Sequence, residues 1–469
     1  MMAAIALAVV LMVPELGFAA ETDAHGVDGR QLGLIWAAPF VGILLSIALG
    51  PLLAPHFWEH HYGKIAAGWA LAFLLPFAAV FGLTMAMQQL LHTLLLEYIP
   101  FIVLIFALFT VAGGIVVRGA FSGTPGSNTA ILAVGAAAAS WMGTTGASMV
   151  LIRPLIQANR WRRNAVHVFV FFIFLVSNMG GLLTPLGDPP LFLGFLLGVD
   201  FTWTLTRLIP HWLVMIVPLL AIFYVLDTIR IRGDGAPPTV PPTPLGLGGG
   251  INVVLLLAVI AATLMSANWR PGMGVSVMHI DVALQNIVRD VLLIAIALLS
   301  YRLTPAEAHE ANEFSFGPIK EVAKLFIGIF ITIAPVIAML AAGREGALSG
   351  LVALSTQADG SPSNAMYFWL TGFLSSFLDN APTYLVFFQL AGGDPARLMG
   401  ELATTLAAIS CGAVFMGANS YIGNAPNFMV KAVCESRGIR MPSFFGYCAW
   451  AVVFLVPLYA VVTWLFFLR

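Results

Sequence analysis

The chain has 469 residues, of which 60% are hydrophobic and only 9% are charged, whereas soluble globular proteins carry about 25% charged residues. The formal net charge of −1 leaves no basic surface for nucleic acid, and the three cysteines have neither metal-ligand nor disulfide-framework spacing. Apolar runs of about 20 residues recur along the whole length. The composition therefore predicts an all-α polytopic membrane protein embedded in the lipid bilayer.

The first twenty residues, "MMAAIALAVVLMVPELGFAA", have the pattern of a secretory signal peptide. An apolar core is followed by small residues and then by polar "ETDAHG", although the usual positive charge before the core is missing. Residues 1–20 are therefore predicted to be a signal peptide, with an uncleaved extra helix as the alternative.

About ten further apolar segments are long enough to cross a membrane, and two of them are interrupted by glycine and proline. These predicted crossings are Leu34–Leu53, Ile65–Thr84, Tyr98–Val117, Ala165–Gly194 (broken), Leu208–Leu226, Ile251–Met265, Asp290–Leu303, Ile319–Leu340, Leu402–Val433 (broken) and Phe444–Phe467. Two other apolar segments, Thr129–Ile156 and Ala365–Gly392, carry small and polar residues midway and are interpreted as re-entrant hairpins.

A segment rich in proline and glycine, Asp227–Gly250, divides the chain into residues 31–226 and 251–469. With a periplasmic mature N-terminus, 14 of the 21 lysines and arginines fall on the cytoplasmic side, in agreement with the positive-inside rule. The sequence thus predicts a multi-pass protein of the bacterial inner membrane with a cytoplasmic linker.

The two halves repeat each other. "SNMGGLLTPLGDPPLFLG" (177–194) aligns with "AVFMGANSYIGNAPNFMV" (413–430) at an offset of 236, which pairs Asp188 with Asn424. "SWMGTTGASMV" from Ser140 aligns with "SSFLDNAPTYL" from Ser375 at an offset of 235, which pairs Thr144 with Asp379. Five crossings in each half turn the second copy over, so the pattern predicts the inverted-topology repeats of many secondary transporters.

The two broken segments are expected to unwind near the middle of the membrane, near Thr184–Pro190 and near Ser420–Pro426. Pro189 and Pro190 remove two backbone donors, Pro426 removes one in the second copy, and Gly187 and Gly423 permit non-helical turns. Irregular backbone at this depth is tolerated only where it is buried in protein or lines a wet cavity. The tips of the hairpins, 143–148 and 379–383, are therefore expected to meet the breaks.

Polar side chains of these four elements form the predicted ion or substrate site, because hydroxyl, amide and carboxylate oxygens suit a hard cation such as Na⁺. The candidate residues are Asp188, Asp379, Asn380, Thr383, Thr144, Thr145, Ser148, Asn178, Thr184, Asn419, Ser420 and Asn424. Asp188 and Asp379 are the acids of the set, and a buried carboxylate must be protonated, paired or bound to a cation. The alternative is that each aspartate merely caps a half-helix.

No cofactor and no metal other than transported Na⁺ is predicted. "HFWEHHYGK", with His56, His60 and His61, is interpreted as a solvated cytoplasmic turn, although histidines at this spacing can bind a metal.

The paired hairpins and broken helices resemble those of the ion transporter superfamily, which includes NhaD-type sodium:proton antiporters, ArsB-type arsenite pumps and citrate or dicarboxylate carriers. "SNMGGLLTPLGDPPLFLGFL", "FLSSFLDNAPTYLVFF" and "MGANSYIGNAPNFMVKA" look like the branch described both as sodium:proton antiporters and as citrate transporters. The resemblance covers nearly the whole chain and implies a scaffold half, a moving half and a homodimer. Citrate-type carriers have Ser-Asn-Thr at both hairpin tips, whereas these tips read "GTTGAS" and "LDNAPT".

Na⁺/H⁺ antiport is the leading functional hypothesis, with protons and Na⁺ competing for Asp188 and Asp379. The second is a Na⁺- or H⁺-coupled carrier of citrate or another carboxylate, against which stand two aspartates and the lack of lysine or arginine in the polar tips. A third, an intramembrane aspartyl protease, fails because "PLGD" and "FLDN" match its motifs poorly and in reversed order. An enzyme is therefore not expected.

Overall fold

A computed structural model describes residues 15–18, 27–235, 244, 246–357 and 360–468. The predicted signal segment, 1–20, lies outside these residues apart from 15–18, and most of the linker's Pro-rich part, 236–243, also lies outside them.

The described residues are predominantly helical. The α-helices in chain order are α1 (Ala38–Leu53), α2 (Pro55–Phe81), α3 (Leu83–His92), α4 (Ile99–Gly113), α5 (Pro125–Met142), α6 (Thr144–Ala158), α7 (Val166–Leu175), α8 (Pro189–Leu196), α9 (Phe201–Arg230), α10 (Gly250–Asn268), α11 (Leu284–Leu303), α12 (Ala306–Ala311), α13 (Gly317–Ala341), α14 (Ser349–Ser355), α15 (Asn364–Phe377), α16 (Asn380–Leu390), α17 (Pro395–Met399), α18 (Ala403–Met416), α19 (Ala425–Ser436), α20 (Phe444–Phe454) and α21 (Val456–Val462).

Short segments of other structure join these helices. The strands are β1 (Glu15–Phe18), β2 (Val116–Arg118), β3 (Gly246–Gly248), β4 (Met273–Val277) and β5 (Ile280–Ala283). They form an antiparallel sheet in the order β1-β4-β5 and a separate β2-β3 pair. The 3₁₀ turns are Gly29–Gln31, Leu34–Ala37, Met179–Leu183, Ile231–Gly233, Gly343–Glu345 and Gly417–Asn419, and π-helical turns occupy Thr93–Tyr98 and Thr463–Phe467.

The prediction of an all-α polytopic membrane protein is confirmed. Within the described residues, nine helical stretches are long and apolar enough to cross a membrane, and Ala403–Asn419 is a shorter apolar helix. Each of the ten predicted crossings overlaps one of these ten stretches. The small strands were not predicted, because they are too short to leave a clear alternating pattern.

The helices group into two compact units, and each unit draws on both halves of the sequence. Unit 1 comprises the described residues of 1–107, 257–299 and 316–348. In this unit α2 packs on α13, and Phe73 and Phe77 of α2 are buried beneath the indole of Trp36, whose ring meets both edge-on. This aromatic cluster anchors the unit, because large rings bury the most apolar area per side chain.

Unit 2 comprises the described residues of 108–256, 300–315 and 349–469 and contains both hairpins and both broken helices. Helix α7 is apolar on every face, and its residues from His167 to Leu175 are all buried. A helix that is hydrophobic all round is surrounded by other helices, so α7 lies in the core of the unit rather than at a lipid-facing edge.

The two halves carry matching elements in unit 2. Hairpin α5–α6 and broken helix α7–α8 of the first half correspond to hairpin α15–α16 and broken helix α18–α19 of the second. Helix α9 extends to Arg230, so its last turn lies inside the segment that the sequence assigned to the linker. The opposite orientation of the two halves across the membrane remains a prediction.

A buried ionic cluster joins the base of the first hairpin to α7 and α9. Arg162, which follows α6, lies with Nη1 2.5 Å from Oδ1 of Asp227 in α9, and both side chains are fully buried. The Arg162 Nε lies 3.0 Å from Asp234, and His167 of α7 and Asn128 of α5 also bond to the Asp227 carboxylate. Removing one partner of such a network leaves an uncompensated buried charge.

We expect Arg162→Met to lower the free energy of unfolding by about 3–5 kcal/mol, because Asp227 would lose its main counter-charge. The matched control is Arg397→Met, whose ion pair with Glu401 is exposed and contributes at most about 1 kcal/mol. Melting of both variants in detergent, followed by gel filtration, measures the difference. Equal melting temperatures would show that the buried cluster does not stabilise the fold.

The inverted topology predicts that the linker and the turn after the second hairpin face opposite sides. We expect a cysteine at position 238, in the linker, to react with an impermeant maleimide only from the cytoplasmic side, and one replacing the exposed Ala396 of α17 only from outside. A Cys448→Ala background removes the half-buried native thiol, whereas Cys411 and Cys434 are buried. Labelling of both sites from one side contradicts the inverted repeat.

Candidate ion and substrate site

The first broken helix unwinds between α7 and α8. Helix α7 ends at Leu175, and α8 does not begin until Pro189, so the break is longer than the predicted Thr184–Pro190. Asp188 occupies the N-cap position of α8 with extended backbone angles (φ −143°, ψ 144°). Prolines fit the first turn of α8, where no N–H is needed for the helix. The two prolines therefore fix where the second half-helix starts.

The second broken helix has the same geometry. Helix α18 ends at Met416, and α19 begins at Ala425 with Pro426 in its first turn. Asn424 is the N-cap residue with angles of φ −152° and ψ 139°, close to those of Asp188. The pairing of Asp188 with Asn424 by sequence is thus matched by equivalent backbone positions.

The hairpin tips pack against these breaks through equivalent bonds. Thr184 donates its hydroxyl to the carbonyl of Ser140, and Ser420 donates to the carbonyl of Ser376 at 2.5 Å. In both copies this hydroxyl also accepts from the backbone N–H two residues later. The hairpins therefore match at an offset of 236.

This register corrects the pairing that the sequence suggested. At an offset of 236, Asp379 corresponds to Gly143, and both are N-cap residues, of α16 and of α6. Thr144 then corresponds to Asn380, the first residue of α16, rather than to Asp379. The earlier alignment placed the hairpins one residue out of step because similar serines occur at both 375 and 376.

The four elements meet at the Asp188 carboxylate, which is 2% exposed. Its Oδ1 accepts from the Thr144 hydroxyl at 2.9 Å and from the Asn424 amide at 3.1 Å, and its Oδ2 accepts from the Asn380 amide. Thr144 also donates its backbone N–H to Gly187 at 2.9 Å. One carboxylate thus contacts both hairpin tips and the opposite break.

Asp188 does not act as a helix cap. Although it lies at the N-cap position of α8, its side chain makes no hydrogen bond to the first turn of that helix, and the same holds for Asn424 and α19. Both side chains reach across to the other repeat instead. The capping alternative therefore does not describe Asp188.

Asp379 does have the geometry of a cap. Its half-buried side chain accepts from the N–H of Ala381 at 3.0 Å, and Thr383 donates its hydroxyl to the Asp379 carbonyl at 3.0 Å. Thr145 is half-buried, and no hydrogen bond in the described part of the chain joins it to Asp188. Asp379, Thr383 and Thr145 therefore lie near the Asp188 carboxylate, and within the described residues none of them forms a hydrogen bond with it.

A chain of carboxamides extends the network. The Asn424 amide also donates to the Ser177 carbonyl and to Oδ1 of Asn178, and Asn178 donates to Oδ1 of Asn427 at 2.7 Å. Asn427 in turn donates to the carbonyls of Gly417 and Ser420, both at 2.8 Å. Sequence reasoning missed Asn427, and the signal that could have found it is an amide directly after Pro426 in an apolar half-helix.

The remaining candidates hold the scaffold of the site. Ser148 and Ser177 are hydrogen-bonded at 2.8 Å, which joins the first hairpin to the first break. Asn419 donates to the Ser376 hydroxyl at 2.8 Å and accepts from the Tyr459 hydroxyl at 3.0 Å. These contacts fix the breaks without reaching Asp188.

Helix N-termini set the electrostatic potential at the Asp188 carboxylate. Thr144 and Asn380 begin α6 and α16, and Asp188 and Asn424 precede α8 and α19, so four helix N-termini converge on one carboxylate. Each N-terminus carries roughly half a positive charge. Within the described residues, no ion pair with lysine or arginine includes Asp188. The helix ends therefore supply the positive potential.

One buried oxygen of the centre has no partner. Oδ1 of the fully buried Asn380 accepts no hydrogen bond from the described residues, whereas the amide nitrogen of the same side chain donates to Asp188. While Asp188 is ionised, turning the amide over would place an oxygen against the carboxylate, so repulsion favours the observed orientation in the charged state. A free carbonyl oxygen beside a carboxylate is suited to a hard cation.

Ion pairs of a carboxylate outside the membrane spans, that of Glu313, connect the two repeats. Glu313 lies 3.2 Å from Arg153 of α6 and also pairs with Arg437 at the end of α19. Partial burial raises the pKa of Glu313, but the two guanidinium groups outweigh it and hold the pKa below its ordinary value. The bridge therefore persists at neutral pH and weakens only as the pH falls through that lowered pKa. Its half-exposed position makes its contribution small.

Comparison with known families decides the class of protein. The sequence profile of the family described as "Putative citrate transport" matches residues 29–467. The chain belongs to this family. A search of the curated proteins found no match. The family assignment agrees with a transporter architecture of hairpins and broken helices. Of the two descriptions that the resemblance offered, sodium:proton antiporter and citrate transporter, the family carries the second.

The close approach of the breaks gives a test of the site. A Cβ at Gly187 would overlap the carbonyl oxygen of Gly181, and one at Gly423 would lie 2.6 Å from the Gly417 carbonyl oxygen. We expect Gly187→Ala and Gly423→Ala to reach the membrane but to lose transport. The added Cβ would collide with a backbone oxygen atom, which can move only if the unwound segment is distorted. Gly126→Ala, where a Cβ meets no atom within 4 Å, is the matched control.

Transport is measured as Na⁺-driven proton movement and as uptake of labelled citrate, with the membrane content of each variant determined by immunoblot. If both alanine variants keep the activity of Gly126→Ala, the close backbone approach is not needed for function.

Proposed function

We propose that the protein exchanges Na⁺ for H⁺ across the membrane and that Asp188 is the exchanging group. The observation that carries the proposal is a buried carboxylate whose direct partners are all neutral: Thr144, Asn380 and Asn424. The helix ends are poles of neutral dipoles and add no net charge, so an ionised carboxylate inside an apolar bundle still takes up either a proton or a cation. Because Na⁺ and H⁺ compete for the same carboxylate, binding of one releases the other, and this coupling produces exchange.

The ligands for the cation come from the same residues. We assign the Asp188 carboxylate and the unpartnered Oδ1 of Asn380 as oxygen ligands, with the Thr144 hydroxyl as a third. Oxygen donors of this kind suit hard cations. When a proton displaces the ion, Asp188 becomes neutral, and the three side chains still satisfy its oxygens through hydrogen bonds.

Exchange is assigned to Asp188 alone, although the sequence suggested Asp379 as well. Asp379 is half-buried and bonds to the start of its own helix, an arrangement that requires no exchange of charge. All residues of the proposed site belong to unit 2, which supports identifying that unit with the moving half that the resemblance implies.

A cation-coupled carboxylate carrier is the second candidate. The family description favours it, and so do the four helix N-termini, since helix N-termini bind carboxylates and phosphates. In this case the cation on Asp188 would neutralise the carboxylate and so allow an anion to approach. Citrate would then be taken up only together with Na⁺ or H⁺.

We expect Asp188→Asn to reduce Na⁺-dependent dequenching of a pH dye in everted vesicles to background, because the amide coordinates Na⁺ but releases no proton. Asp379→Asn should keep activity, because asparagine caps a helix about as well as aspartate. The control is Asp394→Asn, another N-cap aspartate, at the start of α17. In the wild type, the apparent affinity for Na⁺ should weaken as the pH falls, because protons then occupy the shared site.

Two outcomes would contradict this assignment. Unchanged dequenching in Asp188→Asn excludes Asp188 as the exchanging group. Citrate uptake that requires a Na⁺ gradient, without Na⁺-driven proton movement in the absence of citrate, establishes the carboxylate carrier in place of antiport.

A further inference from the structure

Three metal-binding side chains lie together at the start of α2, in unit 1. His56, Glu59 and His60 occupy positions i, i+3 and i+4 of the helix, and one ligand atom from each lies within 4.8 Å of the others. All three side chains are exposed, and the two imidazole centres are 4.7 Å apart. Residues at this spacing share one face of a helix, so a single ion can reach all three.

The hydrogen bond of the His60 ring leaves its Nε2 free to bind a metal ion. Its Nδ1 lies 2.9 Å from the backbone carbonyl of His56, and because a carbonyl only accepts, Nδ1 carries the proton. The lone pair is then on Nε2, which points away from the backbone contact. Such a bond to a backbone carbonyl is how proteins commonly orient a metal-binding histidine.

The neighbouring histidine is held apart from the cluster. His61 bonds through Nδ1 to the carbonyl of Phe57 at 3.0 Å, and its ring stacks on the Phe57 ring with centroids 4.5 Å apart and planes at 11°. His61 therefore supplies an internal control of the same residue type on the same helical turn.

We propose that His56, Glu59 and His60 bind a divalent transition-metal ion of the Zn²⁺ class. Two imidazole nitrogens and one carboxylate oxygen suit this class of ion and leave coordination positions for water. From the sequence, this segment was interpreted as a solvated turn. The structure changes that interpretation, because the three ligand atoms lie close together and the tautomer of His60 leaves Nε2 free to bind a metal.

The site is exposed, so the bound ion exchanges with solvent, in contrast to the closed four-ligand sites that stabilise folds. Under the predicted topology it faces the cytoplasm. It is independent of the proposed exchange at Asp188, which belongs to unit 2.

Purified full-length protein in detergent, carrying no polyhistidine tag, tests the proposal. After incubation with ZnCl₂ and gel filtration, we expect one Zn²⁺ per chain by mass spectrometry, and titration calorimetry gives the affinity. His56→Ala and His60→Ala should each weaken binding by more than about 100-fold, because loss of a ligand costs more than the roughly 10–100-fold that follows loss of a residue that only supports a ligand. Glu59→Gln should weaken it as well, because the charged ligand is lost.

His61→Ala is the matched control and should bind Zn²⁺ like the wild type. Co²⁺ provides a second readout, since its visible absorption on binding reports nitrogen and oxygen ligands. Failure of the wild type to retain Zn²⁺, or equal affinities in His56→Ala, His60→Ala and His61→Ala, would overturn the proposal.

Discussion

The structure of unit 2 depends on one constraint: backbone that leaves the helix at membrane depth must find partners inside the protein. In each half, the break and the hairpin tip satisfy each other's polar groups, and Asn427 satisfies two carbonyls of the second break. Thr144 donates its backbone N–H to Gly187, and Thr184 and Ser420 donate their hydroxyls to hairpin carbonyls. Because the tips must approach the breaks to satisfy the backbone, the polar side chains at the tips are brought to the same point. The site is thus a consequence of the pairing that makes broken helices possible.

The repeat is symmetric in its backbone and asymmetric in its charge. Asp188 and Asn424 occupy equivalent N-cap positions, yet only Asp188 is ionisable. Their side chains bond to each other, so a second aspartate at 424 would set two carboxylates in contact and raise the cost of ionising either. One acid and one amide allow the pair to hold a single charge, and the amide donates to that charge in the ionised state.

The sequence was sufficient for the elements but not for their register. Glycine and proline at 187–190 and 423–426 located both breaks, because those residues limit the backbone directly. The one-residue error in the hairpin alignment, which paired Asp379 with Thr144 instead of Gly143, arose because register is set by contacts between segments far apart in the chain. Asn427 was missed for the same reason: its bonds to Asn178, Gly417 and Ser420 depend on tertiary packing. The direction of the Asp188 side chain, away from its own helix, likewise has no signal in local sequence.

Electrostatics connects the two candidate functions. Four helix N-termini, each carrying roughly half a positive charge, surround a carboxylate that carries one negative charge. Na⁺ and H⁺ neutralise the Asp188 carboxylate equally, so one can replace the other without a change in the net charge of the site, and an anion can join the site once either is bound. Antiport and cation-coupled carboxylate transport are therefore two ways of balancing the same site. What separates them is whether an anion can lie beside Asn380 and Asn424 while Asp188 is neutralised.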